Sequence, residues 1–286
     1  MSTASSEVEA ELRAALAERR LELHYQPIVD LNDATLGAAE ALLRWRHDSE
    51  LLAASEFLPH LRDPALRAAT SDFVFDEAAR QAATWRARFP TWRFPVSVNV
   101  SAEEFTDDLV ARVADLSARH ALAPGALAIE VSEPVLLSDP ERGRALAAAL
   151  KAVGAQIVVD DYGTTHAGTG DPRSARSTDE LLTSVVALET FTVDVVKIDR
   201  EIVQRCLRGE HDTRVIEGLV KVGHLFGFRM LAEGVESGDE AEALRCAGFD
   251  LAQGHYFQRP HGPGHIDRLL HDLADAREAF ATRHPR

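Results

Sequence analysis

Segments with a strand-like pattern alternate with segments of helical periodicity along most of this chain. The strand-like segments are apolar and rich in β-branched residues, whereas the helical ones repeat apolar residues every three or four positions. The predicted strands are Leu21–Val29, Leu36–Leu43, Pro95–Ser101, Ala126–Val131, Gln156–Gly163, Val193–Ile198, Arg229–Val235 and Asp250–Phe257. The predicted helices are Val8–Arg19, Ala65–Arg88, Ala102–His120, Pro140–Val153, Asp179–Glu189, Asp212–Phe226, Asp239–Ala247 and Gly264–Phe280.

The order of these elements favours an α/β fold of the (β/α)₈ barrel type. The first two strands are joined by the short, turn-rich segment 30–35, and so short a link favours antiparallel pairing. We therefore predict a modified TIM barrel with an antiparallel first strand. An open, doubly wound sheet is the alternative, but no Gly-rich phosphate loop follows the first strand. We expect residues 1–20 to form a helical lead-in and residues 21–286 to form a single barrel domain.

The chain is acidic, which narrows its possible partners. Its 31 basic and 46 acidic side chains give a formal net charge of −15, which argues against binding to nucleic-acid polymers or anionic membranes. No apolar run approaches the ~20 residues of a membrane span, and the polar N-terminus does not resemble a signal peptide. The two cysteines imply no disulfide framework. We therefore expect a cytoplasmic protein.

Two adjacent carboxylates end one of the apolar strands. Ile157, Val158 and Val159 form a continuous β-branched run, which is typical of a strand buried on both faces, and Asp160 and Asp161 follow directly. Both acids remain charged side by side only if a cation neutralises them. A cap on the next helix would explain one of them more easily than two.

Polar side chains recur at the corresponding ends of the other predicted strands, where the active site of a barrel gathers. They are Glu40, Asn99, Glu130, Lys197, Asp199, Glu233, Glu236 and Gln253. Taken singly, each could be a salt-bridge partner or a turn residue. Together with the aspartate pair they supply hard oxygen ligands that suit two Mg²⁺ or Mn²⁺ ions. A lysine beside two such ions favours hydrolysis of a phosphate ester.

An ordered set of short motifs resembles the EAL domain family, the bacterial phosphodiesterases that linearise cyclic di-GMP. The motifs are Tyr25-Gln26-Pro27-Ile28, Glu40-Ala41-Leu42, Asn99-Val100-Ser101, Glu130-Val131-Ser132-Glu133, Asp160-Asp161-Tyr162-Gly163-Thr164, Lys197-Ile198-Asp199, Ala232-Glu233-Gly234-Val235-Glu236 and Ala252-Gln253-Gly254. The resemblance spans nearly the whole chain. It implies a metal-dependent phosphodiesterase that hydrolyses cyclic di-GMP to linear pGpG with water activated by two Mg²⁺ or Mn²⁺ ions.

The resemblance also implies a role for each matching residue. The implied metal ligands are Glu40, Asn99, Glu130, Asp160, Asp161 and Glu233. Asp160 would bridge the two ions, and the catalytic set would be Glu233, Lys197 and Asp161. The implied substrate-binding residues are Gln26, Leu42, Arg44, Asp199, Glu236 and Gln253. Glu133 would anchor the loop that follows the double-Asp strand.

The chain departs from the family pattern after Thr164. The family continues there with a short helix, whereas this chain has a stretch rich in Gly, Ser, Thr and Pro, and Lys197 lies 37 positions after Asp160 (197 − 160). We expect a long variant loop at about 165–178. In the family this loop helps to couple dimerisation to metal and substrate binding. We expect a homodimer, and we expect the altered loop to leave the metal ligands in place.

Two other functions stay open. A non-catalytic cyclic di-GMP receptor or protein-interaction module would fit the altered loop, whereas the complete set of metal ligands favours an enzyme. A barrel phosphodiesterase that acts on another nucleotide is a remoter alternative, because the matching substrate-lining residues argue against it. The few residues before Leu21 do not accommodate a sensory segment, so, if this sequence is the whole protein, regulation is expected through the barrel, its dimer or a separate regulatory protein.

Overall fold

Nine strands form one sheet in the computed structural model, which describes residues 3–91, 93–163, 178–207 and 210–272. The strands are β1 (Leu21–Asp30), β2 (Leu36–His47), β3 (Glu50–Ala53), β4 (Val96–Val100), β5 (Leu127–Ser132), β6 (Gln156–Tyr162), β7 (Val195–Ile198), β8 (Arg229–Ala232) and β9 (Leu251–Ala252). Their order is β1-β9-β8-β7-β6-β5-β4-β2-β3, and β1 also pairs with β2. This second pairing closes eight strands into a barrel, with β3 attached outside it.

The direction of β1 confirms the predicted modification of the barrel. β1 runs antiparallel to β2, from Leu21 opposite Trp45 to Val29 opposite Leu36, and antiparallel to β9 on its other side. The remaining barrel strands run parallel to one another from β2 through β4 to β9. The open doubly wound sheet is therefore wrong, because β1 bonds to both ends of the strand series.

Helices connect most of the parallel strands and cover the barrel. They are α1 (Thr3–Ala17), α2 (Ala54–Phe57), α3 (Pro64–Arg88), α4 (Asp107–Arg119), α5 (Glu133–Ser138), α6 (Pro140–Ala152), α7 (Thr178–Leu188), α8 (Arg200–Cys206), α9 (Glu210–Leu225), α10 (Gly238–Cys246) and α11 (263–272), with a 3₁₀ turn at Leu58–His60. Their apolar faces pack on the outer face of the strands in one continuous core. None of the described helices combines the length and apolar character that crossing a membrane requires.

Several element boundaries differ from the predicted ones for local reasons. The predicted strand over Asp250–Phe257 ends at Ala252, because Gly254 packs against the backbone of Val235 and the chain turns there. The helix predicted from Ala102 begins at Asp107, after a turn in which the Ser101 carbonyl accepts from two amides. The variant loop predicted at 165–178 lies outside the described residues except for its last position. So does the part of the last predicted helix beyond residue 272.

The barrel interior contains two layers of side chains, because alternate residues of each strand point inward. The lower layer, toward the N-terminal ends of the parallel strands, is Ile28, Ala38, Ser97, Ala128, Val158, Val195, Leu231 and Leu251. The upper layer consists of the residues two positions away from these, toward the C-terminal ends of the parallel strands. We call this layer the polar ring, and its members are Gln26, Glu40, Asn99, Glu130, Asp160, Lys197, Glu233 and Gln253. Seven members of the lower layer are apolar, whereas every member of the polar ring is polar.

Candidate active site

Lys197 lies at the centre of the polar ring. Its ammonium nitrogen is 2.8 Å from Glu130 Oε2, 2.8 Å from Glu233 Oε1 and 2.9 Å from Asp160 Oδ1. Glu40 Oε2 lies farther away, at 3.8 Å. These carboxylates come from four different strands or strand ends, so the closed barrel is what brings them together.

The local sequence of β7 explains why a lysine is buried here. All four residues of β7 are buried, and alternation along the strand directs Val195 and Lys197 into the barrel. The Lys197 residue is only 1% exposed, and burial alone would lower the pKa of its amine. The surrounding carboxylates, Glu130 first among them, overcome this effect and raise the pKa well above its usual value. Lys197 is therefore a fixed cation and not a proton acceptor.

A chain of hydrogen bonds joins the remaining members of the polar ring. Asn99 Nδ2 donates to Glu40 Oε1 at 2.8 Å, and Gln253 Nε2 donates to Glu40 Oε2 at 2.6 Å. Gln253 Nε2 also lies 3.1 Å from Gln26 Oε1, while Gln26 Nε2 donates to the Gln258 carbonyl at 3.1 Å. The amide groups of Asn99 and Gln253 thus fix the Glu40 carboxylate from both sides, and Gln26 in turn contacts Gln253.

Two carboxyl groups of the ring have raised pKa values. Burial raises the pKa of Glu130 to about 8, an effect that Lys197 opposes and that Glu40 and Asp160 reinforce. Burial likewise raises the pKa of Glu233 to about 7, again against the opposing effect of Lys197. The two carboxyl groups differ in their exposure to solvent: the Glu233 side chain is 21% exposed, whereas that of Glu130 is 1% exposed. Glu233 therefore faces the opening of the site and Glu130 its floor.

The charges in the ring do not balance. Four carboxylates and one ammonium leave a formal charge of −3 when all are ionised (−4 + 1), in a place with little access to water. Among the described residues, no three or more Asp, Glu, His or Cys side chains are arranged to hold a metal ion, since the carboxylates converge on the ammonium instead. The donor set itself, hard carboxylate and amide oxygens with excess negative charge, fits Mg²⁺ or Mn²⁺.

A β-bulge separates the two adjacent aspartates. Val159 pairs with Val196 and Tyr162 with Ile198, so that three steps along β6 match two along β7. Asp161 adopts a left-handed backbone conformation, with φ of 53°, and its side chain is exposed. The bulge interrupts the alternation that would otherwise place these two aspartates on opposite faces of the sheet. Asp160 contacts Lys197, whereas Asp161 lies at the exposed end of β6.

The other predicted site residues lie outside the Lys197 cluster. Asp199 caps α8, accepting from the Glu201 amide at 2.7 Å, and Glu236 forms a half-exposed ion pair with Arg200 at 2.5 Å. Leu42 and Arg44 are half-buried on β2, and Arg44 donates to the neighbouring Leu43 carbonyl at 2.9 Å.

Glu133 is buried at the start of α5, but most of the loop that it is predicted to anchor lies outside the described residues.

Sequence reasoning missed two residues beside the site. Arg200 follows the Lys-Ile-Asp motif directly, and its pairing with Glu236 was not expected. Ser97 precedes Asn99 by two positions, so strand alternation could have placed it inside the barrel below the ring. In the sequence, Ser97 is one small residue of a strand, and no motif marks it.

Comparison with known proteins relates this arrangement to one family. The profile of the EAL domain family matches residues 9–171 and 179–260. MucR of Pseudomonas aeruginosa, described as a bifunctional diguanylate cyclase/cyclic di-GMP phosphodiesterase, is 31% identical over 253 residues, covering 87% of this chain and 34% of MucR. The signaling protein YkoW of Bacillus subtilis is 26% identical over 261 residues, covering 91% of this chain and 30% of YkoW. The chain thus spans about a third of the length of these relatives.

Solved structures agree with this relationship. The MucR phosphodiesterase in complex with c-di-GMP superposes with a TM-score of 0.78 at 29% identity, covering 91% of this chain and 99% of that one. The EAL domain of Mycobacterium smegmatis DcpA gives a TM-score of 0.69 at 28% identity, covering 88% and 98%. The FimX EAL domain of Pseudomonas aeruginosa, bound to c-di-GMP, shares the fold with a TM-score of 0.74 at 22% identity, covering 89% and 96%.

Proposed function

The chain belongs to the EAL domain family, and we propose that it is a metal-dependent phosphodiesterase that hydrolyses cyclic di-GMP to linear pGpG. The observation that carries the proposal is the polar ring, in which four carboxylates converge at the C-terminal end of the barrel. The relationship to MucR, a protein described as a cyclic di-GMP phosphodiesterase, supports the choice of substrate.

Divalent cations are the cofactor that this set of side chains would hold. Phosphodiesterases of the family use divalent metals, and we propose Mg²⁺ or Mn²⁺ with Glu40, Asn99, Glu130, Asp160, Asp161 and Glu233 as ligands. When bound, such ions neutralise charge on phosphate oxygens and make a water molecule more acidic. The excess negative charge of the ring favours their entry, and the side chains that now contact Lys197 would turn toward them.

Two side chains of the ring have the properties that the reaction needs. Lys197 stays protonated, so it would donate a hydrogen bond to a phosphate oxygen and stabilise the negative charge that develops there. Glu233 faces the opening, and a pKa of about 7 suits a carboxylate that accepts a proton from the attacking water. Glu130 is too deeply buried for this role.

The rim of the barrel would hold the rest of the nucleotide. We propose that Gln26, Leu42, Arg44, Asp199, Glu236 and Gln253 contact the substrate, and Arg44 offers a positive charge to a phosphate. The chain carries a net charge of −15, so an anionic substrate depends on such local cations and on the metal ions. The homodimer, the separate regulatory protein and the cytoplasmic location remain predictions.

A non-catalytic cyclic di-GMP receptor is the second candidate. The observation that favours it is the close packing of Lys197 against Glu130, Asp160 and Glu233, which engages the carboxylates that metal ions would need. A receptor would retain the rim residues and bind the nucleotide without turnover.

The two candidates differ in what happens to bound nucleotide. Purified protein is incubated with cyclic di-GMP in Mg²⁺, in Mn²⁺ and in EDTA, products are separated by chromatography, and binding is measured in parallel by calorimetry. We expect pGpG in either metal and none in EDTA. Binding of cyclic di-GMP without pGpG formation in both metals would contradict the enzyme proposal and support the receptor.

A further inference from the structure

We propose that ordered water in the lower half of the barrel links the Ser97 hydroxyl to the Glu130 carboxylate, which makes Ser97 a positioning residue of the site. The lower layer surrounds a cavity of about 310 Å³ that extends from the N-terminal end of the barrel up to Glu130. This cavity lies on the side of the polar ring opposite to the substrate opening.

The cavity exists because the lower layer is built from small side chains on one side. Ala38, Ser97 and Ala128 come from the neighbouring strands β2, β4 and β5, and the larger Val, Leu and Ile residues stand on the other strands. Three small residues side by side leave a space that the facing side chains do not fill. The interior of such a barrel is normally filled by side chains, so we expect this space to contain bound molecules.

Ser97 introduces the one polar side chain of the lower layer. The residue is 1% exposed, and its hydroxyl oxygen has no hydrogen-bond partner among the described residues. Leaving a buried hydroxyl without a partner costs about 1–3 kcal/mol, so in the folded protein such groups are almost always satisfied. The partner of Ser97 must therefore come from the cavity that it lines.

Glu130 lines the same cavity and also has an oxygen without a hydrogen-bond partner among the described residues. Its Oε2 accepts from the Lys197 ammonium at 2.8 Å, but its Oε1 is buried and has no hydrogen-bond partner within the described part of the chain. Ser97 and Glu130 do not bond to each other directly. Both residues line the cavity. Ser97 belongs to the lower layer, and Glu130 lies two positions beyond Ala128, the lower-layer residue that pairs with Ser97.

Water is the occupant that these two groups require. A buried water needs roughly 10–15 Å³ of accessible volume and two to four polar partners, and the cavity provides far more space than that. Its outer end is lined by the polar side chains of Arg93, Gln156, Asp194 and Arg229, which would allow water to enter. The apolar side chains between the two ends offer no competing hydrogen bonds.

This water would fix the orientation of the Glu130 carboxylate from below. The functional consequence rests on the proposed function, in which Glu130 is a metal ligand. Groups that hydrogen-bond a ligating carboxylate typically change metal affinity by about 10–100-fold when they are removed. Ser97 would thus act through water and through Glu130, without touching metal or substrate.

The test compares three variants at this position with one control. Ser97→Ala removes the hydroxyl, Ser97→Val removes it and fills the space with a group of the shape of threonine, and Ser97→Thr keeps it. Thr70→Val removes another buried hydroxyl, which bonds within α3 to the Leu66 carbonyl at 2.8 Å. Mn²⁺ affinity is measured by calorimetry, and metal-free crystals are examined for water between Ser97 and Glu130.

We expect Ser97→Ala and Ser97→Val to weaken Mn²⁺ binding by about tenfold or more, while Ser97→Thr and Thr70→Val bind as the wild type does. We also expect ordered water bridging Ser97 Oγ and Glu130 Oε1 in wild-type crystals and its loss in Ser97→Val. Wild-type crystals without that water would overturn the inference, as would equal Mn²⁺ affinity in Ser97→Val and Ser97→Thr. If the wild type neither binds Mn²⁺ nor turns over substrate, the proposed function fails, and the crystals alone decide the role of Ser97.

Discussion

Lys197 supplies the positive charge at the centre of the site. Its ammonium contacts Glu130, Asp160 and Glu233 at distances of 2.8–2.9 Å, in surroundings where an unpaired charge is strongly unfavourable. Under the proposed function, the same ammonium would compete with divalent cations for these carboxylates. One side chain thus stabilises the metal-free protein and would serve the reaction once metal ions are bound.

Replacing Lys197 by methionine tests this double role. Lys197→Met keeps the length of the side chain and leaves the carboxylates without their cation, so we expect the free energy of unfolding in EDTA to fall by about 3–5 kcal/mol. Mn²⁺ should restore part of this loss, because it supplies the missing positive charge. Urea denaturation in EDTA and in Mn²⁺ measures both effects.

Lys221→Met is the matched control, since Lys221 is exposed on α9, where it pairs with Glu217 at 3.6 Å. We expect this variant to stay within about 0.5 kcal/mol of the wild type. A Lys197→Met protein as stable as wild type in EDTA would show that the carboxylates do not depend on the lysine.

At the scale of elements, the end of β6 sets the position of the two aspartates. The bulge at Asp160 and Asp161 is followed by Tyr162, whose hydroxyl donates to the Leu181 carbonyl of α7 and accepts from Ser184 Oγ at 2.9 Å. Gly163 then turns the chain with a φ of 89°. The strand end is therefore held by contacts with α7 and α8 beyond the barrel.

Gly163 has no room for a side chain. A Cβ atom there would lie 2.1 Å from Ile202 Cδ1 and 2.8 Å from Leu181 Cδ2, and the backbone conformation is one that L-residues rarely adopt. We expect Gly163→Ala to lower the free energy of unfolding by about 1–3 kcal/mol and to reduce turnover, because it displaces the adjoining aspartates. Thermal denaturation and product assays measure the two effects.

Gly218→Ala on α9 is the comparison, since its Cβ would meet nothing within 4 Å and alanine favours a helix by about 0.5–1 kcal/mol. It should be as stable as wild type or slightly more stable. A Gly163→Ala variant that behaves like Gly218→Ala would mean that α7 and α8 do not hold the strand end.

The pattern of apolar and polar residues predicts the existence of the strands and helices better than the residues at which they begin and end. Strand alternation and the short link 30–35 are local signals, so β1, β2 and their antiparallel pairing follow directly from sequence. The bulge in β6 does not, because it depends on how β6 meets β7. β9 is shorter than predicted because Gly254 allows a close approach to Val235, which no local pattern reports.

The same distinction holds for the site. Motifs and strand ends select the ring residues Glu40, Glu130 and Glu233, since the C-terminal ends of barrel strands gather at one mouth. The sequence does not reveal that Lys197 would hold three of the carboxylates, because this depends on distances between strands far apart in the chain. Ser97 is hidden for a similar reason, since its significance comes from the alanines on neighbouring strands.

At the scale of the whole molecule, closure of the barrel creates the site. β1 joins β9 to β2, and through this closure Gln253 reaches both Gln26 and Glu40. The ring then concentrates negative charge inside a chain that is already acidic overall. Under the proposed function, such a centre would bind cations first and an anionic nucleotide only with their help.

If the polar ring is a catalytic centre, the protein forms pGpG in Mn²⁺ at a rate that depends on Glu233. We compare wild type with Glu233→Gln, which keeps shape and removes the proton acceptor, and with Glu242→Gln, which alters an exposed pair with Arg245. We predict turnover by wild type and Glu242→Gln, and a loss of about 100-fold or more in Glu233→Gln with cyclic di-GMP binding retained. Equal rates in wild type and Glu233→Gln, or no turnover by wild type, would rule out a catalytic role of the ring through Glu233.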